Sequence, residues 1–189
     1  WRDVALLRAY ARYLKQIRLG FDLGYIANTL LNHPDIAREL VRLFKTRFYL
    51  ARKLSADDLH DKQHKLEQAI LGALDNVAVL NEDRILRRYL DLIKATLRTN
   101  FYQPDASGEN KGYFSFKFDP SAITDLPRPV PKFEIFVYSP RVEGVHLRFG
   151  NVARGGLRWS DREEDFRTEV LGLVKAQQVK NAVIVPVGA

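Results

Sequence analysis

Two short constellations in the 189-residue sequence carry residue types able to hold an anion. In Arg154-Gly155-Gly156-Leu157-Arg158, two adjacent glycines stand between guanidinium groups. Paired glycines let main chain approach a ligand closely and tolerate positive φ. The flanking arginines offer planar forks to a carboxylate or phosphate. A glycine turn in a hairpin with two solvated arginines would read the same way. Further on, Gln177 and Lys180 are three apart, so on a helix they share one face. An amide and an ammonium there could grip one carboxylate, although an ordinary polar helix face has the same spacing. The apolar stripe Phe166, Val170 and Leu173 leads into this pair, which favours a cleft over bulk water.

Holding these groups requires a sheet and a helix. Phe114, Phe116 and Phe118 alternate with Tyr113, Ser115 and Lys117. Phe133, Ile135 and Val137 alternate with Glu134, Phe136 and Tyr138, and Val145, Leu147 and Phe149 with His146 and Arg148. Three strands joined by Pro- and Gly-containing turns predict an antiparallel or mixed sheet. Ser160 with Glu163 three residues later has capping-box spacing. It predicts a helix to about residue 182 that buries Phe166, Val170 and Leu173, with residues 183–187 a strand after it. Asp161, Glu163, Glu164 and Asp165 would fall in the first turn of that helix, where acids complement the dipole.

Upstream the apolar period is helical. Leu7, Tyr10, Leu14 and Ile17 mark one face, and Ile36, Leu40, Leu43 and Phe44 another, with Pro34 suited to a first turn. Ser55 is the expected N-cap of a helix carrying Leu59, Leu66, Ile70, Leu74 and Val77. Asn81 is the expected cap of one carrying Leu86, Leu90, Ile93 and Leu97. Residues 103–112 (QPDASGENKG) form a turn-rich connection. The expected fold is therefore α+β. A helical region spans 1–103 and a linker 104–112, and residues 113–189 form a small mixed sheet with a long packed helix.

Composition narrows the chemistry. Cysteine is absent, which removes disulfides, thiolate metal sites and a cysteine nucleophile. His33, His60, His64 and His146 suggest no metal site, because no third ligand accompanies the His60/His64 pair. Lys and Arg total 30 against 23 Asp and Glu, a net charge of +7. No apolar run approaches the roughly 20 residues that cross a bilayer, and the first residues lack a signal-peptide core. The expectation is a soluble cytoplasmic protein. The start at Trp1, the absence of methionine and the apolar run up to Ala189 point to a piece of a longer chain.

The pattern GGLR, then a Q-x-x-K helix, then a strand with Pro-x-Gly-Ala, resembles the substrate domain of glutamate dehydrogenases. Within that superfamily, RGGLRWSDR and EDFRTEVLGLVKAQQVKNAVIVPVGA resemble the large NAD-specific bacterial class. The likeness is near-continuous over residues 151–189, looser over 80–150 and weak before that.

The resemblance implies roles by position. The residue before GGLR, usually a lysine that binds the distal carboxylate of glutamate, is here Arg154. Gln177 and Lys180 match the pair that binds the α-carboxylate, and Gly155 and Gly156 bring main chain beside the substrate. The catalytic lysine would follow Ala189. It would lie outside this chain, as would the later catalytic aspartate and the NAD-binding domain, so this piece is expected to be inactive alone. The implied reaction is oxidative deamination of L-glutamate to 2-oxoglutarate and ammonia, in a full-length homo-oligomer. A different class of function rests on the basic residues Arg38, Arg42, Lys45, Arg47, Arg52 and Lys53, namely a non-catalytic module for nucleic acid or an acidic partner.

Overall fold

The computed structural model describes residues 1–49, 55–151 and 158–180, with side chains as far as residue 176 in the last stretch. Five helices come first: α1 (Arg2–Gln16), α2 (Leu23–Asn32), α3 (Pro34–Phe48), α4 (Ala56–Leu74) and α5 (Leu80–Ala95). Four strands follow, β1 (Thr96–Thr99), β2 (Phe114–Phe118), β3 (Phe133–Tyr138) and β4 (Glu143–Arg148), and then α6 (Phe166–Lys180). The fold is α+β. The sheet is antiparallel throughout, in the order β1-β2-β3-β4.

Local chemistry sets several helix starts. Asp22 accepts from the Tyr25 amide ahead of α2, and Ser55 accepts from the Asp58 amide ahead of α4. Pro34 occupies the first turn of α3, where its missing donor costs nothing. Other boundaries differ from the sequence expectation. The cap of α5 is Val79, not Asn81, and no side chain caps it. That helix stops at Ala95, so Leu97 leaves the expected helical stripe, enters β1 and is exposed. Residues 104–112 lie in the connection between β1 and β2.

The α5–β1 junction is made by tertiary contacts. Arg47 of α3 donates to the carbonyl oxygens of Lys94 and Thr96. Thr96 Oγ1 donates to Leu92 O at 2.7 Å, which uses its one proton. The buried Tyr10 hydroxyl, 2.8 Å from Thr96 Oγ1, is therefore the donor in that pair.

Directly paired residues of an antiparallel sheet share a face, and the inward face is aromatic. Phe118, Glu134 and Leu147 form one inward row, with Phe116, Phe136 and Val145 beside it. Tyr13 of α1 stacks on Phe118 at 4.5 Å between ring centres and lies 5.2 Å from Phe136. Tyr10 lies 4.9 Å from Phe116. One continuous apolar cluster thus joins the five helices to the sheet. Among the described residues no helix is long and apolar enough to cross a membrane.

Candidate functional site

Glu134 is the one charged residue on the inward side of β3, and it is fully buried. Arg167, in the first turn of α6, meets it with two parallel bonds: Nε to Oε1 at 2.7 Å and Nη2 to Oε2 at 2.8 Å. Burial works against the Arg167 charge, but the bonds to Glu134 and its field outweigh that, and the guanidinium pKa stands above its ordinary value. The Tyr13 hydroxyl is buried beside this pair. Burial first, and then the Glu134 charge, push its pKa well up, so the phenol stays neutral.

The carboxy-terminal end of α1 completes this anchor. Buried Gln16 accepts from the Arg167 amide at 3.1 Å and donates to Glu163 O at 2.9 Å. Lys15 pairs with Glu164, and Arg18 reaches Asp165. The four acids expected inside the first turn of α6 therefore precede the helix, and two of them pair with residues at or just past the end of α1.

These contacts correct the expected face of α6. Its inward residues are Arg167, Leu171 and Val174, while Leu173 is 37% exposed. Phe166 packs in part against the apolar cluster, but the stripe Phe166, Val170 and Leu173 is centred to one side of the buried face and no longer argues for a cleft at Gln177 and Lys180. The expected cap is corrected as well. Ser160 lies six residues ahead of the helix, and its hydroxyl donates to Glu169 Oε2 at 2.6 Å.

A second anchor lies on the far side of the helix, since positions 167 and 169 are separated by about 200° of rotation. Glu169 accepts from Arg158 Nε at 2.7 Å as well as from Ser160. The Ser160 bond and then the Arg158 bond hold its carboxyl below the usual range. Arg158 is the arginine of GGLR. Trp159, between the two residues held, is 80% exposed.

Of the expected site residues, Arg154, Gly155 and Gly156 lie outside the described residues, as do residues 183–187. Gln177 and Lys180 fall within α6, with side chains outside the described part. Sequence reasoning did not single out Glu134, Arg167, Gln16 or Glu169, which hold the helix in place. The available signals were a lone acid in an otherwise apolar strand set and an arginine in register with Leu171 and Val174.

The basic residues of α3 are engaged elsewhere. Arg38 pairs with Asp35, Arg42 with Glu39 and Lys45 with Asp3, and Arg47 closes α5. Arg52 and Lys53 lie outside the described residues. His33 lies 2.8 Å from Glu82, and among the described residues no three potential ligands converge on a metal position.

An antiparallel sheet backed by helices, with a long helix pinned to it by Arg167 and Glu134, defines an α+β unit. The chain belongs to the family described as bacterial NAD-glutamate dehydrogenase, catalytic domain, whose model matches residues 69–189. A second model, glutamate dehydrogenase helical motif 3, matches residues 1–50. The chain is 88% identical over 189 residues to an NAD-specific glutamate dehydrogenase of Pseudomonas aeruginosa. It is 64% identical to one of Halomonas elongata and 52% identical to one of Mycobacterium tuberculosis. Each comparison covers 100% of this chain and 12% of the relative's length.

Proposed function

We propose that this chain supplies the substrate-holding part of an NAD-dependent glutamate dehydrogenase. The full-length protein oxidises L-glutamate to 2-oxoglutarate and ammonia. The observation that carries this reading is the family match over residues 69–189, which includes residues 154–158 and both Gln177 and Lys180.

Arg154 receives the distal carboxylate, Gln177 and Lys180 receive the α-carboxylate, and Gly155 and Gly156 bring main chain alongside. Holding both ends of a five-carbon dianion fixes the direction of its α C–H bond, and such orientation is worth several kcal/mol of barrier. Chain geometry supports the convergence. Residues 177–180 lie about 12–16 Å along α6 from Glu169, and the four residues from 158 back to 154 span at most about 14 Å. Position 180 also shares the Glu169 face of the helix to within about 20°.

NAD supplies the hydride acceptor in this reaction. Among the described residues every strand pairing is antiparallel. Among them no βαβ crossover presents a glycine-rich turn and helix N-terminus to a pyrophosphate. These residues do not fit the dinucleotide, which is assigned to another part of the full-length enzyme. The chain alone is expected to bind substrate without turnover.

Kinetics of the full-length enzyme test the assignment. Lys180→Ala should raise KM for glutamate and for norvaline together, because both carry the α-carboxylate. Unchanged KM values would remove the proposed role.

A further inference from the structure

The inward face of the sheet is packed by helices, and the outward face carries a different set of side chains. Across the register, Arg98 stands beside Lys117, Lys117 beside Ile135, and Ile135 beside His146. Ser115 stands beside Val137 and Gly144, and Phe133 beside Arg148. Side chains alternate along a strand, so this set points away from the one holding Phe116, Phe118, Phe136 and Leu147. None of Phe133, Ile135 and Val137 belongs to the apolar cluster that joins the helices to the sheet.

Two properties mark this face. The first is that β3 is apolar on both sides. A strand with one solvated face alternates apolar with polar residues, as β2 does, whereas a strand covered on both faces reads as a near-continuous apolar run. Phe133, Ile135 and Val137 are each half-buried, so this stripe still reaches solvent. It extends about 14 Å along an inner strand. The second is that the formal charges around the stripe have one sign. Arg98, Lys117 and Arg148 flank it, and no acid stands among the described residues of the face. Lys117 lies over the Phe133 ring, its ammonium 4.0 Å from the ring centre, and Arg148 donates to the carbonyl oxygens of Gly150 and Asn151. These contacts leave both positive charges in place.

We infer that the outward face of the sheet is a docking surface for an amphipathic helix of the same full-length polypeptide, one whose apolar stripe is flanked by acids. A sheet buries an apolar face against a further layer, and helices on both faces are a stable solution. A helix with its side chains is about 10 Å across, close to two strand spacings, so it covers β3 and overhangs β2 and β4. Acids on its two flanks then meet Lys117 on one side and Arg148 on the other. The occupant is assigned to the same polypeptide because this chain covers 12% of the length of its relatives. A tethered segment competes for a surface at an effective concentration that a free partner rarely reaches. The inference depends on the sheet and not on the substrate roles proposed above.

Zero-length carbodiimide coupling in the native full-length enzyme tests it. Enzyme assembled from mixed 14N- and 15N-labelled chains separates links within one chain from links between copies. Lys117 should couple to an Asp or Glu outside these 189 residues and within the same chain, and Lys117→Gln should abolish that link. Thiol accessibility is the second readout. Ser115→Cys, on the same face, should react with a maleimide about a hundred-fold more slowly in the native enzyme than in urea. Ala106→Cys, in the exposed β1–β2 connection, should differ by less than about ten-fold between the two conditions. Links from Lys117 only between differently labelled chains would make a second copy the occupant and overturn the inference. Protection at position 115 that vanished after nuclease treatment would assign the face to nucleic acid, with the same consequence. Fast labelling at 115 without a Lys117 link would show a face open to water, and protection without such a link would refute the acidic helix. Should Ser115→Cys fail to fold, Val137→Cys on the neighbouring strand carries the same comparison.

Discussion

Arg167 and Glu134 form a bidentate ion pair with side chains 1% and 0% exposed, joining the first turn of α6 to the inward face of β3. Two charges removed from water are costly, and the pair stands because both Glu134 oxygens accept from one guanidinium. The geometry also explains why a helix with a solvent-facing side sits in one orientation on the sheet.

Breaking this pair from one side should be far worse than removing it whole. Arg167→Met leaves an uncompensated buried carboxylate and should cost about 3–5 kcal/mol. The double variant Glu134→Leu/Arg167→Met should recover most of that loss, and a net gain is within the range seen when buried pairs become apolar. Urea unfolding of the three proteins measures the comparison. Equal losses in the single and double variants would show that the pair is not an isolated unit.

That same pair accounts for much of what was hard to read in the sequence. Phe alternation, Pro34 and Ser55 are local signals, and they locate β2, α3 and α4. The face of α6 is not a local property. Arg167 makes the 167/171/174 stripe look polar, and only its partner 33 positions away makes it the buried one. Glu134 disguises the inward set of β3 in the same manner. β1 was hidden because Leu86, Leu90, Ile93 and Leu97 continue at helical spacing, while the helix end is imposed by Arg47, Tyr10 and pairing with β2. At the candidate site, residue types and spacing marked Arg154, Gln177 and Lys180. The bonds from Arg158 and Ser160 to Glu169 join residues eleven and nine positions apart, which no short motif encodes.

The corrected face of α6 is separately checkable. Leu171 is 7% exposed and Leu173 is 37% exposed. Leu171→Ala should cost about 2–5 kcal/mol, as expected for a buried leucine, whereas Leu173→Ala should cost under about 1 kcal/mol because it empties little. The reverse order in chemical denaturation would restore the 166/170/173 stripe as the inward one.

The Tyr10–Thr96 contact predicts an asymmetry between its two partners. Tyr10→Phe removes the donor and leaves the Thr96 hydroxyl still donating to Leu92 O, so the loss should be about 1 kcal/mol. Thr96→Val leaves the buried Tyr10 hydroxyl without an acceptor and should cost more, about 1–3 kcal/mol. Unfolding midpoints of the two variants give the order directly, and equal values would mean that Tyr10 finds another acceptor.

Acid sensitivity should have an identifiable contribution from Glu82. Hydrogen bonds from His33 and then Asn32 hold its carboxyl below the ordinary value of 4.5. A depressed folded pKa means that the unfolded chain binds the proton more readily. The stabilisation is therefore complete above about pH 4.5 and is lost as pH falls through the lowered folded value. Wild type should exceed Glu82→Gln in urea midpoint at neutral pH, and the two should converge in acid. A gap that stayed constant on acidification would rule out the carboxylate as its source.

Substrate discrimination tests the cation beside the paired glycines. Glutamate and norvaline share an α-carboxylate, and only glutamate carries a second one. If Arg154 holds that second group, Arg154→Ala in the full-length enzyme should raise KM for glutamate by about two orders of magnitude, the scale of losing one charge-assisted contact. KM for norvaline should change little, because its apolar end never met the guanidinium. Arg154→Lys should retain part of the preference, since an ammonium keeps the charge but loses the planar fork. Equal effects of Arg154→Ala on both substrates would remove the distal-carboxylate role and leave the arginine as support for the turn.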